Sequence, residues 1–110
     1  MPKTPLITNT PKPPYYAVIF TSEKKLGDAG FYDETSSQLI DLASEQEGFL
    51  GFESVRQDIG ITVSYWSDIA AIKHWKLNAD HQTAQDMGKA HWYSHYKVRI
   101  AKIERDYGTL

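Results

Sequence analysis

All four histidines of this chain lie between positions 74 and 95, among Trp75, Trp92, Tyr93 and Tyr96. Imidazole is the side chain that changes charge near neutral pH, so a neutral histidine beside aromatic rings can serve as a general base. His81 fits that role by position: it follows Asp80 and lies six residues after Trp75. The same residue also reads as an N-terminal helix residue packed on the sheet, with a hydrogen bond from its ring. Metal binding has less support, because neither His74 with His81 nor His91 with His95 has a glutamate or third histidine at zinc-site spacing. Arg56 and Arg99 fall mid-strand, where either would bind an enolate, phenolate or carboxylate if it pointed into a helix-covered groove. Their alternative is to lay the aliphatic stem over apolar surface. Tyr65, Tyr93 and Tyr96 are further hydrogen-bond donors.

Several other chemistries are excluded. With no cysteine, disulfides, thiolate metal sites and cysteine nucleophiles are all ruled out. There is no glycine-rich phosphate loop, no Ser-His-Asp ordering and no nucleotide fingerprint. A net charge of −2 with scattered Lys and Arg leaves no basic face for nucleic acid. No apolar run reaches the length of a membrane span, and the N-terminus lacks a signal-peptide core. A cytoplasmic protein of one domain is expected.

The elements that must position these residues follow from pattern. All five prolines precede Tyr15, so residues 1–14 read as a flexible proline-rich arm and 15–110 as the folded domain. Tyr15 to Thr21 is a strand with apolar residues on both sides: Tyr16, Val18 and Phe20 face one way, Tyr15, Ala17 and Ile19 the other. After a loop with a cap at Asp28, Phe31, Thr35, Leu39, Leu42 and Ala43 recur at helical spacing, with a stop at Gly48. Phe49–Gln57 and Ile61–Trp66 make a hairpin turning at Asp58-Ile59-Gly60. Ser67 is placed to cap a helix whose buried stripe is Ile69, Ile72 and Trp75. Asn78-Ala79-Asp80 reads as a break, followed by a short helix to Met87. A last strand runs from Ser94 to Tyr107, with Tyr96, Val98 and Ile100 on one face and Ala101 and Ile103 on the other. The order is βαββαβ, a ferredoxin-like α+β fold with a four-stranded antiparallel sheet. Helices cover one sheet face. The other, carrying apolar side chains, calls for a second copy stacked sheet to sheet.

The segment from Tyr65-Trp66-Ser67-Asp68 through His81-Gln82-x-Ala84-Gln85, Trp92-Tyr93-x-x-Tyr96 and Val98-Arg99 to Arg105 resembles the antibiotic biosynthesis monooxygenase family. That resemblance implies the dimeric α+β barrel, with a pocket in each subunit between sheet and helices. One branch of the family oxidises polycyclic phenols with O2 and no cofactor, using an Asn, a Trp and a Tyr. Another binds and degrades haem, with an Asn on its first strand, a Trp in its second helix and a histidine ligand. Trp75 matches that Trp, but the ligand position falls on Gln85, and the asparagines here are Asn9 and Asn78, neither on a strand. The resemblance therefore implies a distinct pocket. His81 would be the base, Trp66, Trp75 and Trp92 the aromatic lining, and Tyr96 or Arg99 the stabiliser of a developing anion. The expected activity is a cofactor-independent monooxygenase acting on a small aromatic or quinol-like molecule. The alternatives are a protein binding or degrading haem, a non-catalytic dimeric binding protein, and a pocket filled by its own side chains.

Overall fold

The computed structural model describes residues 6–24, 40–85 and 93–109, with backbone alone at positions 24, 80–85 and 93–94. The elements are β1 (Tyr15–Lys24), α1 (helical over residues 40–44), β2 (Phe49–Arg56), β3 (Ile59–Trp66), α2 (Ile69–Gln85) and β4 (Tyr93–Ile103). The sheet order is β2-β3-β1-β4, antiparallel throughout, which is the ferredoxin-like arrangement expected from the pattern. No described helix is long and apolar enough to cross a membrane.

Alternation along β1 decides the two faces. Tyr16, Val18, Phe20 and Ser22 stand opposite Trp66, Ser64, Thr62 and Gly60 on β3, and opposite Lys102, Ile100, Val98 and Tyr96 on β4. This is the inner face. Its core is Val18, Ala43, Trp66 and Ile72, with Tyr16, Phe49, Ala71 and Trp75 packed around it, so α1 and α2 lie on this side. The outer face carries Ala17, Ile19, Thr21, Val63, Ile61, Ala101 and Arg99. The predicted division of β1 into two apolar sides is therefore observed, as are the partition of β4 and the turn at Gly48, whose φ is +91°. A Cβ at Gly48 would lie 2.6 Å from the Ala71 Cβ and 2.8 Å from the Ser67 Oγ, so only glycine lets α2 start this close to β2.

Other local expectations are corrected. α2 runs unbroken through Asn78-Ala79-Asp80. Nothing from 69 to 85 is glycine or proline, and Asn78 sends its side-chain amide to Gln46 Oε1 at 3.3 Å rather than back to its own helix. The cap is Asp68, not Ser67: its Oδ1 accepts the Ala71 amide at 2.7 Å. Ile69, placed in the buried stripe, is exposed, and Ala71 takes its place against the core. The hairpin is tighter than expected, since Ile59 and Gly60 already belong to β3 and Arg56 pairs with Gly60. The final strand stops at Ile103, and residues 104–109 are irregular. The loop near Asp28 and the first turns of the Phe31 helix lie outside the described residues.

A bulge in β2 shifts its register between Phe49 and Gly51, so Phe49 and Phe52, three apart, both reach the inner face. Gly51, at φ +148°, leaves room for the arm: a Cβ there would overlap the Thr8 side chain. Thr8 donates its amide to Glu53 Oε2 at 2.9 Å and its hydroxyl to the Phe52 carbonyl at 3.2 Å. Thr10 bonds the Tyr15 hydroxyl at 3.0 Å, and Tyr15 in turn donates to Asp106. Residues of the proline-rich arm thus contact β2, β1 and the segment after β4.

Candidate functional site

The inner face divides into a packed end and an open end. At the packed end Trp66 is fully buried, and its indole donates to Ser64 Oγ at 2.9 Å. Phe49 meets Trp66 edge-on at 5.3 Å between centroids, and Trp75 lies against it at 5.4 Å and 33°. Trp75 differs in one respect: its Nε1 is buried and, among the described residues, has no hydrogen-bond partner. A buried N–H without an acceptor costs about 1–3 kcal/mol, so it marks a place where an oxygen is wanted.

Toward the other end of the strands the described side chains of this face are more exposed. Tyr96 remains 66% exposed although it faces inward, and Val98 and Ile100 are exposed beside it. Phe20 stacks on Tyr96 at 5.8 Å and 16°. Together these four side chains form an apolar, partly aromatic floor over β1 and β4. At its far end Ser22, only 2% exposed, accepts a hydrogen bond from Arg56 Nη2 at 2.7 Å. Arg56 starts on β2 and reaches Ser22 on β1 by crossing β3 at Gly60, where a Cβ would overlap the guanidinium.

The residues singled out from sequence fall as follows. Trp66 and Trp75 come together in the packed end, and Tyr96 shares their face about six strand positions away. Arg99 does not join them. It pairs with Ile19 on the outer face, and a shallow depression of about 290 Å³ is lined by residues of both parities, Ser22 and Tyr96 as well as Glu23, Ile59, His95 and Arg99. Strand parity is the reason: an odd separation from Tyr96 turns Arg99 to the opposite side. Residue 81 lies on α2, about 15 Å along the helix from Ala71 at roughly 1.5 Å per residue. Its side chain, and Trp92 entirely, lie outside the described residues. Arg56, which sequence left conditional, is the arginine that meets the condition of facing the helix-covered side.

Two tyrosines on the outer face are tied to carboxylates. Tyr65 donates to Glu53 Oε1 at 2.7 Å, and burial together with that carboxylate pushes its pKa up to about 12. Tyr15 is likewise raised, by burial first and by its bond to Asp106 second. Both hydroxyls are structural donors at neutral pH.

Imidazole is one of the side chains that can ligate haem iron. His74 is exposed, and His95 stands on the outer face 3.5 Å from Glu23, so neither described imidazole faces inward. Among the described residues no three His, Asp or Glu side chains converge.

Comparison with known proteins agrees with this fold. The chain is 50% identical over 101 residues to the uncharacterised protein YqjZ of Bacillus subtilis (strain 168), covering 90% of this chain and 88% of that one. Its fold matches SnoaB, a cofactor-independent oxygenase from Streptomyces nogalater, with TM-score 0.68 and 10% identity over 84% of this chain and 95% of that one. It also matches a variant of MhuD holding two manganese protoporphyrin IX molecules per active site, with TM-score 0.62 and 17% identity over 86% and 99% of the two chains. Residues 16–87 fit the sequence profile of antibiotic biosynthesis monooxygenases, and the chain belongs to that family.

Proposed function

We propose that this protein is a cofactor-independent oxygenase that binds a small aromatic or quinol-like molecule on the inner face and oxidises it with O2. The observation that carries the reading is the buried Trp75 indole N–H with no acceptor among the described residues, on the same sheet face as an aromatic floor that remains open. An oxygen of the bound molecule would supply the acceptor. Trp66 acts as the wall that holds Trp75 in place, Tyr96 and Phe20 as the floor, and Trp92 as a further part of the lining. Arg99 belongs to the face turned toward a second subunit.

The chemistry asked of the protein is small. His81 removes a proton from the substrate, leaving an electron-rich anion. That anion gives one electron to O2, the two radicals combine as a peroxide, and loss of water leaves a carbonyl. In balance, the substrate loses two hydrogens and gains one oxygen atom, while the second oxygen atom leaves with those hydrogens as water. No outside reductant is required. A partly dry aromatic slot and hydrogen-bond donors that favour the anion supply the rest.

The test is oxygen uptake on a panel of naphthols, hydroquinones and anthrones in metal-free buffer. Turnover is expected with at least one class, and His81→Ala should lower it by roughly 10²–10⁴-fold, the usual worth of a general base. Uptake indifferent to His81→Ala would remove His81 from that role. Absence of uptake across the panel would remove the reading itself. A hemin titration separates the alternative: a saturable Soret shift lost in His81→Ala would favour a haem protein of the same fold.

A further inference from the structure

We infer that Arg56, positioned by Gly60 and Ser22, is the anion-recognising residue of this inner-face site, and that its ligand is an aromatic molecule carrying an ionised oxygen. This rests on the reading of the inner face as an aromatic slot. Three residues on three strands combine to place one guanidinium. Arg56 closes the β2–β3 hairpin and pairs in register with Gly60. Any side chain at Gly60 would occupy the volume through which the guanidinium passes to β1. Ser22, at 2% exposure, then anchors Nη2 at 2.7 Å.

A hydrophobic residue at position 56 would cover the same surface without the cost of desolvating a charge. Carrying an arginine across a whole strand to Ser22, next to Phe20 and Tyr96, fits a recognition role instead. A guanidinium recognises a carboxylate or phenolate oxygen by charge-assisted hydrogen bonds. The surroundings fit the rest of such a ligand. Tyr96 pairs with Ser22 across β1 and β4, and its ring stacks on Phe20 next to that anchor. A flat ring lying on Phe20, Tyr96 and Val98 would hold an oxyanion substituent toward Arg56. For the proposed oxidation, a cation at this end would also favour the anionic form of the substrate, in which the electron transfer to O2 takes place.

The decisive experiment compares 2-naphthoate with 2-naphthamide by isothermal titration calorimetry on the full chain. The variants are Arg56→Gln, Arg56→Lys, Gly60→Ala and Arg99→Gln, each checked by circular dichroism and melting. The two probes share a ring system and differ in charge. Wild type should prefer naphthoate at least tenfold. The preference should fall to within about twofold in Arg56→Gln, recover partly in Arg56→Lys, weaken in Gly60→Ala and persist in Arg99→Gln. Gly60→Ala keeps the charge while displacing it, so it tests position even if Arg56→Gln folds poorly. Equal affinity for both probes in wild type would overturn the anion site and leave the aromatic slot standing. A preference that survives Arg56→Gln but disappears in Arg99→Gln would move recognition to the outer face. If neither probe binds, the aromatic slot falls, and the role of Arg56 with it.

Discussion

At the scale of single residues, the two faces of the sheet use polar groups differently. On the inner face Trp66 satisfies its indole through Ser64, Arg56 meets Ser22, and Trp75 is left wanting an acceptor among the described residues. On the outer face two tyrosines form closed pairs, Tyr65 with Glu53 and Tyr15 with Asp106. Tyr65 makes a pH prediction with a definite sign. Its folded pKa is raised to about 12 from an ordinary value of 10, so the native state holds that proton more tightly than the unfolded chain. The resulting stability is complete below about pH 10 and is lost as pH rises toward 12. Thermal melting followed from about pH 8 to 12 should show a steeper late fall in wild type than in Tyr65→Phe; parallel curves would contradict the assignment. Sequence could name Tyr65 as a donor but not find its partner, because Glu53 stands across a hairpin whose register depends on the bulge at Leu50.

At the scale of elements, the start of α2 is the most constrained junction. Gly48 ends the turn after α1 in a left-handed conformation, its carbonyl accepts the Ser67 amide at 2.8 Å, and Asp68 caps the helix at once. Gly48→Ala adds both backbone strain and overlap with Ala71, and should destabilise by more than about 1 kcal/mol in denaturant unfolding. Asp68→Ala, which removes the cap alone, should cost about 1 kcal/mol. If Gly48→Ala proved neutral, close approach of α2 to β2 would not be what selects glycine there. The existence of these elements was legible in periodicity and in glycine placement. Their joints are less so: Asn78-Ala79-Asp80 predicts a break because Asn and Asp disfavour helices in isolation, whereas α2 continues through it and Asn78 bonds Gln46 in the turn after α1.

At the scale of the whole molecule, the outer face bears on assembly. Its strands show Ile19, Ile61 and Val63 only partly covered, and Val55 and Ile59 exposed at the hairpin end. We expect two copies to stack these faces, consistent with the barrel that the family resemblance implied. Sedimentation should then give about twice the 12.5 kDa chain mass, and Ile61→Glu should shift the protein to monomer while leaving its circular dichroism intact. A wild-type monomer at working concentration would contradict the stacked arrangement. The arm bears on the same face, since Thr8 and Thr10 reach Glu53 and Tyr15 beside it.

What sequence alone determined is the part that depends on local period and on residue class: four strands, the two-sided apolar character of β1, a helix carrying Ile72 and Trp75, the glycine at position 48, and the family. These are legible because alternation and helical spacing repeat over many residues, and turn chemistry needs particular residue types. The tertiary structure decided which arginine faces which side, which tryptophan keeps a hydrogen bond to offer, and how Gly60 opens a path for Arg56. Those facts depend on strand order, on a one-residue bulge and on contacts between residues far apart in the chain, such as Ser22 with Arg56. A single step of parity separates Tyr96 from Arg99 across the sheet, and only the pairing of β4 with β1 shows to which face each belongs.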